Sequence, residues 1–449
     1  MSGNKHWISG LLVAALLASP LGLACGTTPD DPEQNNAQNN DQKNPDPVGE
    51  LLRSSLSREL SPAVSSTEAQ ALSEANRDFA LNLYRELSEG AGADNVFMSP
   101  HSISIALAMA YGGARGETAT EIAAAMNYMV TGDDLHKRFN ALDLELAKRA
   151  ETTVAPDGGD PFQLSVVNAT WGQRDYPFLP GYLDLLAVNY GAGLRLLDFE
   201  SEPEPSRKRI NQWVEDQTND RIKDLIPEGA INRGTTLVLT NAIYFKASWL
   251  SEFSKSETAP APFALLDGAS VQIDQMRQTS SFRYGQLDGH EVIELPYVGN
   301  EVTMIVVMPE DGSFESFEAE LDGAKYAELL GTLGHEHGTL RFPKFSFESD
   351  FMLKDPLKKL GMELAFSENA DFSGIDGTRG LSIGAVIHKS FVAVDEEGTE
   401  AAAATAVVIG TTSAPSETFS MTVDRPFLFF IQDKPTGALL FVGRVVDPR

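Results

Sequence analysis

The sequence predicts an α+β fold. Apolar, β-branched runs alternate irregularly with helical ones, and no strict βαβ repeat is present. The chain has 449 residues, 42% hydrophobic and 22% charged, enough to bury a large core. Length alone allows two or three domains.

The N-terminus reads as an export signal. Lys5 and His6 precede an apolar run from Trp7 to Ala24, which Cys25 closes. That run is about as long as a membrane span, but Gly10, Ser19, Pro20 and Gly22 interrupt it and a polar tract follows at once. A bacterial lipoprotein signal of residues 1–25, with Cys25 lipidated, is the preferred reading. Gly22 stands where such signals favour Leu, so ordinary cleavage and an uncleaved anchor are the alternatives. The non-acidic Gly26 is compatible with sorting to an outer membrane.

Thr27 to about Pro47 is mostly Asn, Gln, Asp and Pro, too poor in apolar surface to offset the entropy of ordering. With a transitional stretch after it, the polar disordered tether is placed at 26–64. The folded domain is placed at 65–449. Ser65 and Glu68 form a capping box ahead of Leu72, Ala75, Phe79, Leu83 and Leu87, whose spacing of three and four predicts an amphipathic helix. Ile210–Ile226 reads as a helix and turn, and Thr235–Trp249 as a buried strand. No internal repeat and no transmembrane helix follow the signal.

Composition excludes several functions. A net charge of −29 disfavours nucleic acid and anionic polysaccharide as partners. One cysteine rules out an internal disulfide, a CxxC redox pair and a multi-cysteine zinc site. No GxSxG, HExxH or GK[ST] motif occurs. His335, Glu336 and His337 read as solvated loop rather than metal ligands. The chain is expected to be no enzyme and to need no cofactor or metal.

Residues Asp395–Ile409, DEEGTEAAAATAVVI, carry the most information. Alone, four alanines would suggest helix. The flanking motifs overrule that: VDRPFLFF at Val423–Phe430 and TGALLFVGRVVDP at Thr436–Pro448 follow, and NVFMSPHSISIALAMAYGGARGETATEIAAAM at Asn95–Met126 precedes. ELPYVGNEVTMIVVMP within Phe282–Pro309, and FPKF, LKKLGM and ADFSGI within Leu340–Ile375, complete the set. In this order, over roughly residues 66–449, the blocks resemble the serpin family of protease inhibitors.

The resemblance implies one large domain: a serpin fold with three β-sheets, eight or nine helices and an exposed reactive loop, here about 396–420. It implies that Asn95–Met126 forms a short strand, a buried helix, a Gly-rich turn and a second helix. Ser99, Ser102, Asn241 and His388 match a buried shutter cluster where the central strands of the large sheet part. Trp249 matches the breach tryptophan at the top of that sheet, and Lys344 a lysine that pairs with the hinge glutamate, here Glu396. A hydrolase built on Ser99 and His388 is the enzyme alternative, in which His388→Ala would abolish turnover.

By resemblance, the loop is bait. A serine protease forms a covalent acyl-enzyme at the bait residue, the cleaved loop inserts into the large sheet, and the protease is trapped. The hinge is Glu396, Glu397, Gly398, Thr399, Glu400, Ala401, Ala402, Ala403, Ala404 and Thr405. Strand alternation sends Thr399, Ala401, Ala403, Thr405, Val407 and Ile409 inward, and none is charged or bulky enough to jam the sheet. Gly398 gives the backbone freedom where insertion begins. About a dozen new pairings, at about 0.5–1.5 kcal/mol each, give a drive on the order of 10 kcal/mol before entropy, comparable with a domain's stability.

Family spacing places the reactive bond at Thr412–Ser413, to within one or two residues. No Arg or Lys occurs between Gly398 and Val423, so a trypsin-like target is disfavoured and an elastase-like one fits better. The expected function is a suicide-substrate inhibitor. The alternatives are a non-inhibitory serpin acting as binding protein or chaperone, and an inhibitor of papain-like cysteine proteases. The expected protein is an exported monomer whose only membrane contact is a lipid anchor in the cell envelope or outer membrane; without the anchor it is secreted and extracellular.

Overall fold

Strand β1 (Glu50–Leu52) opens the computed structural model, followed by helix α1 (Ser66–Ala91), β2 (Val96–Met98), α2 (Pro100–Tyr111), α3 (Gly116–Ala125), α4 (Asp133–Thr152) and β3 (Gln163–Gln173). Helix α5 (Pro180–Tyr190), β4 (Leu194–Leu197), α6 (Pro203–Gln217) and β5 (Leu237–Ser248) come next. The middle of the chain holds β6 (Ala259–Ala264), β7 (Ser270–Leu287), β8 (His290–Pro296), β9 (Val302–Met308), α7 (Phe314–Glu320) and α8 (Gly323–Gly331). Then follow β10 (Gly334–Pro343), β11 (Phe345–Met352), α9 (Lys354–Lys359), α10 (Ser373–Asp376), β12 (Ala385–Val394) and β13 (Gly398–Thr399). β14 (Phe419–Thr422), β15 (Phe427–Asp433) and β16 (Leu439–Val445) close the chain. The structure describes residues 49–152, 163–399 and 416–449. Cys25, the tether before Gly49, Glu400, Ala401–Ala404, Thr405, Thr412 and Ser413 lie outside them.

Among the described residues, hydrogen bonding closes two sheets. One has seven strands in the order β1-β4-β3-β5-β13-β12-β11; the other has nine, ordered β14-β10-β7-β8-β9-β15-β16-β2 with β6 beside β7. The 18-residue β7 pairs with β6 and β10 over most of its length and with β8 at its end, so it joins ladders expected as separate sheets. Ten α-helices are described; setting aside α9 and α10, of 6 and 4 residues, leaves eight.

The local rules place the first elements as expected. The Ser65 hydroxyl accepts from the Glu68 amide, and the Glu68 carboxylate accepts from the Ser65 amide at 2.8 Å. Leu72, Ala75, Phe79, Leu83 and Leu87 are all buried. Every residue of α2 is buried, the signature of a helix enclosed on all sides. Phe97 of β2 stacks on Phe441 and Phe429 at centroid distances of 4.9 and 5.5 Å, fixing β2 in the nine-stranded core.

Two expectations are corrected. Residues 49–64 are not part of a disordered tether: β1 pairs antiparallel with β4, and the segment after it lies along α5 and α4 before entering α1. Pairing satisfies the β1 backbone groups that face β4, and charged side-chain bonds replace the apolar burial that the segment lacks. His335, Glu336 and His337 lie in strand β10, not in loop, because β7 offers a ladder: His335 faces Arg283 and His337 faces Ser281.

A buried ionic network ties the chain's end to its first helix. Arg444 of β16 donates to Glu318 at 2.8 Å, to the Asp94 carbonyl at 3.1 Å and to the Gly92 carbonyl at 2.6 Å, while Tyr84 donates to the other Glu318 oxygen. Removing one partner strands the other's charge in the interior. Arg444→Met is therefore expected to cost about 3–5 kcal/mol, read as a lowered urea midpoint; a loss below about 1 kcal/mol would show the network to be solvated.

Candidate functional site: a sheet seam and its hinge

The centre of the seven-stranded sheet is a seam with two states along its length. Over residues 238–243 and 385–390, β5 and β12 pair directly and in parallel. Above them β13 lies between the same two strands, with Thr399 opposite both Val394 and Ala247, and Gly398 opposite Ser248. The seam is closed below and already parted above.

A tight hairpin produces the parting. The Asp395 amide donates to the Gly398 carbonyl at 3.0 Å, while its carboxylate accepts from the amides of Glu397 and Gly398 at 2.9 and 3.2 Å. The chain thus turns back at Glu396–Glu397 and starts down between β12 and β5. Gly398 is required here by space rather than by an unusual φ: a Cβ would lie 2.2 Å from the Ala247 carbonyl oxygen. Thr399, sent inward by strand alternation, is 1% exposed and shares a 2.7 Å hydrogen bond with the Tyr297 hydroxyl.

Trp249 organises the top of the seam. Its indole donates to the Asp395 carbonyl at 3.0 Å, its amide donates to the Glu397 carbonyl at 2.9 Å, and its ring stacks on Tyr297 at 4.6 Å. The Phe253 amide donates to the Glu396 carbonyl at 2.9 Å. Lys344 donates to the Glu396 carboxylate at 2.8 Å and Thr258 donates to its other oxygen at 2.7 Å. Glu397 pairs with Lys255. Both hinge glutamates are buried, so these contacts are worth more than an exposed pair. Burial pushes the Glu396 carboxyl up, but the bonds from Lys344 and Thr258 outweigh it and hold the group below its ordinary range. Burial, with the Glu397 charge adding to it, pushes the neighbouring Glu252 up; Asp395 is raised by burial in spite of its two amide donors.

Below the hinge, Ser99, Ser102, Asn241 and His388 come together as one network. His388 Nε2 accepts from the Ser99 amide at 3.1 Å, which places the ring proton on Nδ1, where it is donated to Asn241 Oδ1. Asn241 Nδ2 donates to Ser102 Oγ and to Asn168 Oδ1, and Ser102 Oγ donates to Asn168 Oδ1 at 2.7 Å. Asn168 was missed in the sequence. Its one signal was an amide side chain in a strand otherwise rich in Val, Ala and Trp, and it faces Asn241 across the β3–β5 ladder.

This geometry does not make a hydrolase. The Ser99 hydroxyl donates to the Leu440 carbonyl at 2.8 Å, away from His388, and both residues are fully buried. On β10, successive residues point to opposite faces, so His335 and His337 do not converge with Glu336. No group of three or more His, Cys, Asp or Glu among the described residues could hold a metal.

Known proteins share this fold. The family profile of the serpins, serine protease inhibitors, matches residues 74–448. An uncharacterised serpin-like protein of Thermococcus kodakarensis is 41% identical over 374 residues, 83% of this chain and 84% of the relative. The leukocyte elastase inhibitor of Homo sapiens is 39% identical over 395 residues, covering 84% of this chain and all of the relative. Among solved structures, uncleaved ovalbumin has a TM-score of 0.75 at 27% identity, covering 84% of this chain and all of that one. Maspin has a TM-score of 0.76 at 25% identity, covering 85% and 99%. The chain belongs to the serpin family.

Burial lowers the His388 pKa to about 3, and a second ring proton would point at the Ser99 amide, itself a donor. Burial likewise lowers His136 to about 4 and lowers His101. The unfolded chain therefore takes up these protons first as pH falls. The stability each neutral ring contributes is full above the unfolded value of about 6.5 and is lost toward the folded value, at about 1.4 kcal/mol per pH unit per group. Urea midpoints measured between pH 8 and 5 are expected to fall below about pH 6.5. His388→Asn should remove one proton's share of that slope; an unchanged slope in this variant would show that His388 is not held neutral.

Proposed function

We propose that this serpin is an irreversible suicide-substrate inhibitor of serine proteases with a small, apolar specificity pocket, as in elastase-like enzymes. The observation that carries the reading is the hinge hairpin: Gly398 and Thr399 already occupy the register that a descending strand would continue. Each further residue would advance one place backward along the sequences of both β5 and β12, with small side chains at Ala401 and Ala403 directed inward as Thr399 is.

The chemistry is an interrupted hydrolysis. The protease serine oxygen adds to the Thr412 carbonyl carbon, the bond to the Ser413 nitrogen breaks, and that nitrogen takes a proton and leaves as a new N-terminus. Thr412 remains esterified to the enzyme. Insertion of 400–412 then withdraws the ester before water can cleave it. The absence of Arg and Lys between Gly398 and Val423 and the likeness to leukocyte elastase inhibitors support the choice of target.

Location follows the same proposal. Cys25 is read as the lipidated residue of an exported protein held in the cell envelope. The layout of the N-terminus, with Lys5 and His6 ahead of an apolar run that Cys25 closes, supports this.

Incubation of the whole chain with an elastase-like protease, read by denaturing gel and intact mass, is expected to give a covalent species of combined mass and a released fragment beginning at Ser413. Thr399→Arg should turn inhibitor into substrate, because a guanidinium cannot take the place beside Tyr297. Loop cleavage without any covalent species, across elastase-, subtilisin- and papain-like enzymes, would overturn the proposal in favour of a non-inhibitory binding protein. A complex with papain-like enzymes alone would reassign the target class.

A further inference from the structure

Residues 49–64 do more than lead into α1. The three residues of β1 extend the seven-stranded sheet by pairing with β4, Glu50 to Leu196 and Leu52 to Leu194. The chain then crosses to the helices. Ser54 donates to Asp184 of α5 at 2.5 Å, and the Glu59 amide donates to the Val188 carbonyl of α5 at 2.9 Å. Arg58 donates to Asn140 and Asp143 of α4 at 2.8 and 2.6 Å, and Asn140 donates back to the Glu59 carbonyl at 2.7 Å. The contact is close enough to need glycine: a Cβ on Gly193 would stand 2.7 Å from both the Leu52 carbonyl oxygen and the Arg53 Cβ.

The two halves of the sheet are anchored differently. Strands β11 and β12 are bonded to β2 of the nine-stranded sheet: Ser390 donates to the Phe97 carbonyl at 2.6 Å, and the Phe97 amide donates to Ser349 at 3.1 Å. Parting the seam between β5 and β12 by one strand means displacing β5, β3 and β4 by about 4.8 Å relative to that frame. The outer edge of this half is what β1 holds. Helix α4, to which Arg58 ties it, is fixed to the nine-stranded sheet by the buried Arg149–Asp433 pair and to α1 by Arg138–Glu68. Hydrogen bonds of 2.6–2.8 Å do not survive a displacement of that size.

We propose that residues 49–64 form a strap that clamps the outer edge of the movable half-sheet to α4 and α5 and so restrains opening of the β5–β12 seam. The strap sets how readily the seam opens. A domain cut at Ser65 would lack this clamp. The clamp bears on the insertion mechanism above, but its test does not require that mechanism.

Hydrogen–deuterium exchange on the whole chain tests it. Arg58→Ala removes the guanidinium's two bonds to α4, and Gly193→Ala displaces β1 without altering any strap side chain. Each is expected to speed exchange of the seam amides at 238–243 and 385–390 by about tenfold, with β9 and β15 unchanged; Arg58→Lys, which keeps the charge but not the two-pronged contact, should fall between. If either variant fails to fold, Ser54→Ala, which removes only the Asp184 bond, takes its place. Seam exchange that stays at the wild-type rate while residues 49–60 exchange faster would overturn the clamp. Melting of the loop-cleaved chain, run in parallel, reads the insertion mechanism alone: a gain in stability supports insertion and its absence counts against it, whichever way the seam responds.

Discussion

The direct pairing of β5 with β12 below the hinge is the constraint on which the other features depend. Six residue pairs in parallel close the lower sheet, and the strand that would replace that pairing has already entered above it. Inserting a strand exchanges one parallel ladder for two antiparallel ones, so the change is downhill in backbone pairing. On the proposed mechanism its barrier is that the old ladder must break before the new ones can form. Everything around the seam bears on that barrier.

The polar groups beneath the seam contribute because they are buried and matched. His388 is an acceptor toward Ser99 and a donor toward Asn241, and Asn241 passes the chain of bonds on to Ser102 and Asn168. Asn168 and Asn241 lie on β3 and β5, His388 on β12, Ser102 on α2. Parting the strands therefore leaves several desolvated groups without partners at once, a cost of about 1–3 kcal/mol for each. The same network would be a poor catalytic site, since its serine hydroxyl is committed to a carbonyl and its histidine is fully buried.

Much of this was legible in the sequence, for identifiable reasons. Capping and 3.6-residue periodicity act within one element, so α1 and its core face could be read directly. The shutter residues, Trp249 and the Lys344–Glu396 pair came from family resemblance, and the structure brings each set into contact. What could not be read were pairings between distant segments. Asn168 belongs to the network only because β3 registers against β5, 73 residues away. Tyr297 meets Thr399 across 102 residues. β1 and the His335–His337 segment looked like loop because three or four residues carry little periodicity, and their strand state comes from the neighbour that pairs with them. Loop residues 400–415 lie outside the described structure, so their side-chain alternation rests on Thr399 and the strand period.

The strap and the hinge act on the same half-sheet from opposite corners. At the top, Asp395–Gly398 hold the first turn of the entering strand against Trp249, which favours parting; at the lower outer edge, β1 and Arg58 resist the lateral shift that parting requires. A hinge alone would leave the seam free to open from above at a rate set only by the buried network. A clamp at the far edge adds a requirement that the half-sheet move as a body, since β5 cannot shift without β3 and β4 and β4 cannot shift without the strap. Opening then becomes cooperative over the whole width of the sheet instead of local to one ladder, and the closed seam gains lifetime from contacts made far from the seam itself.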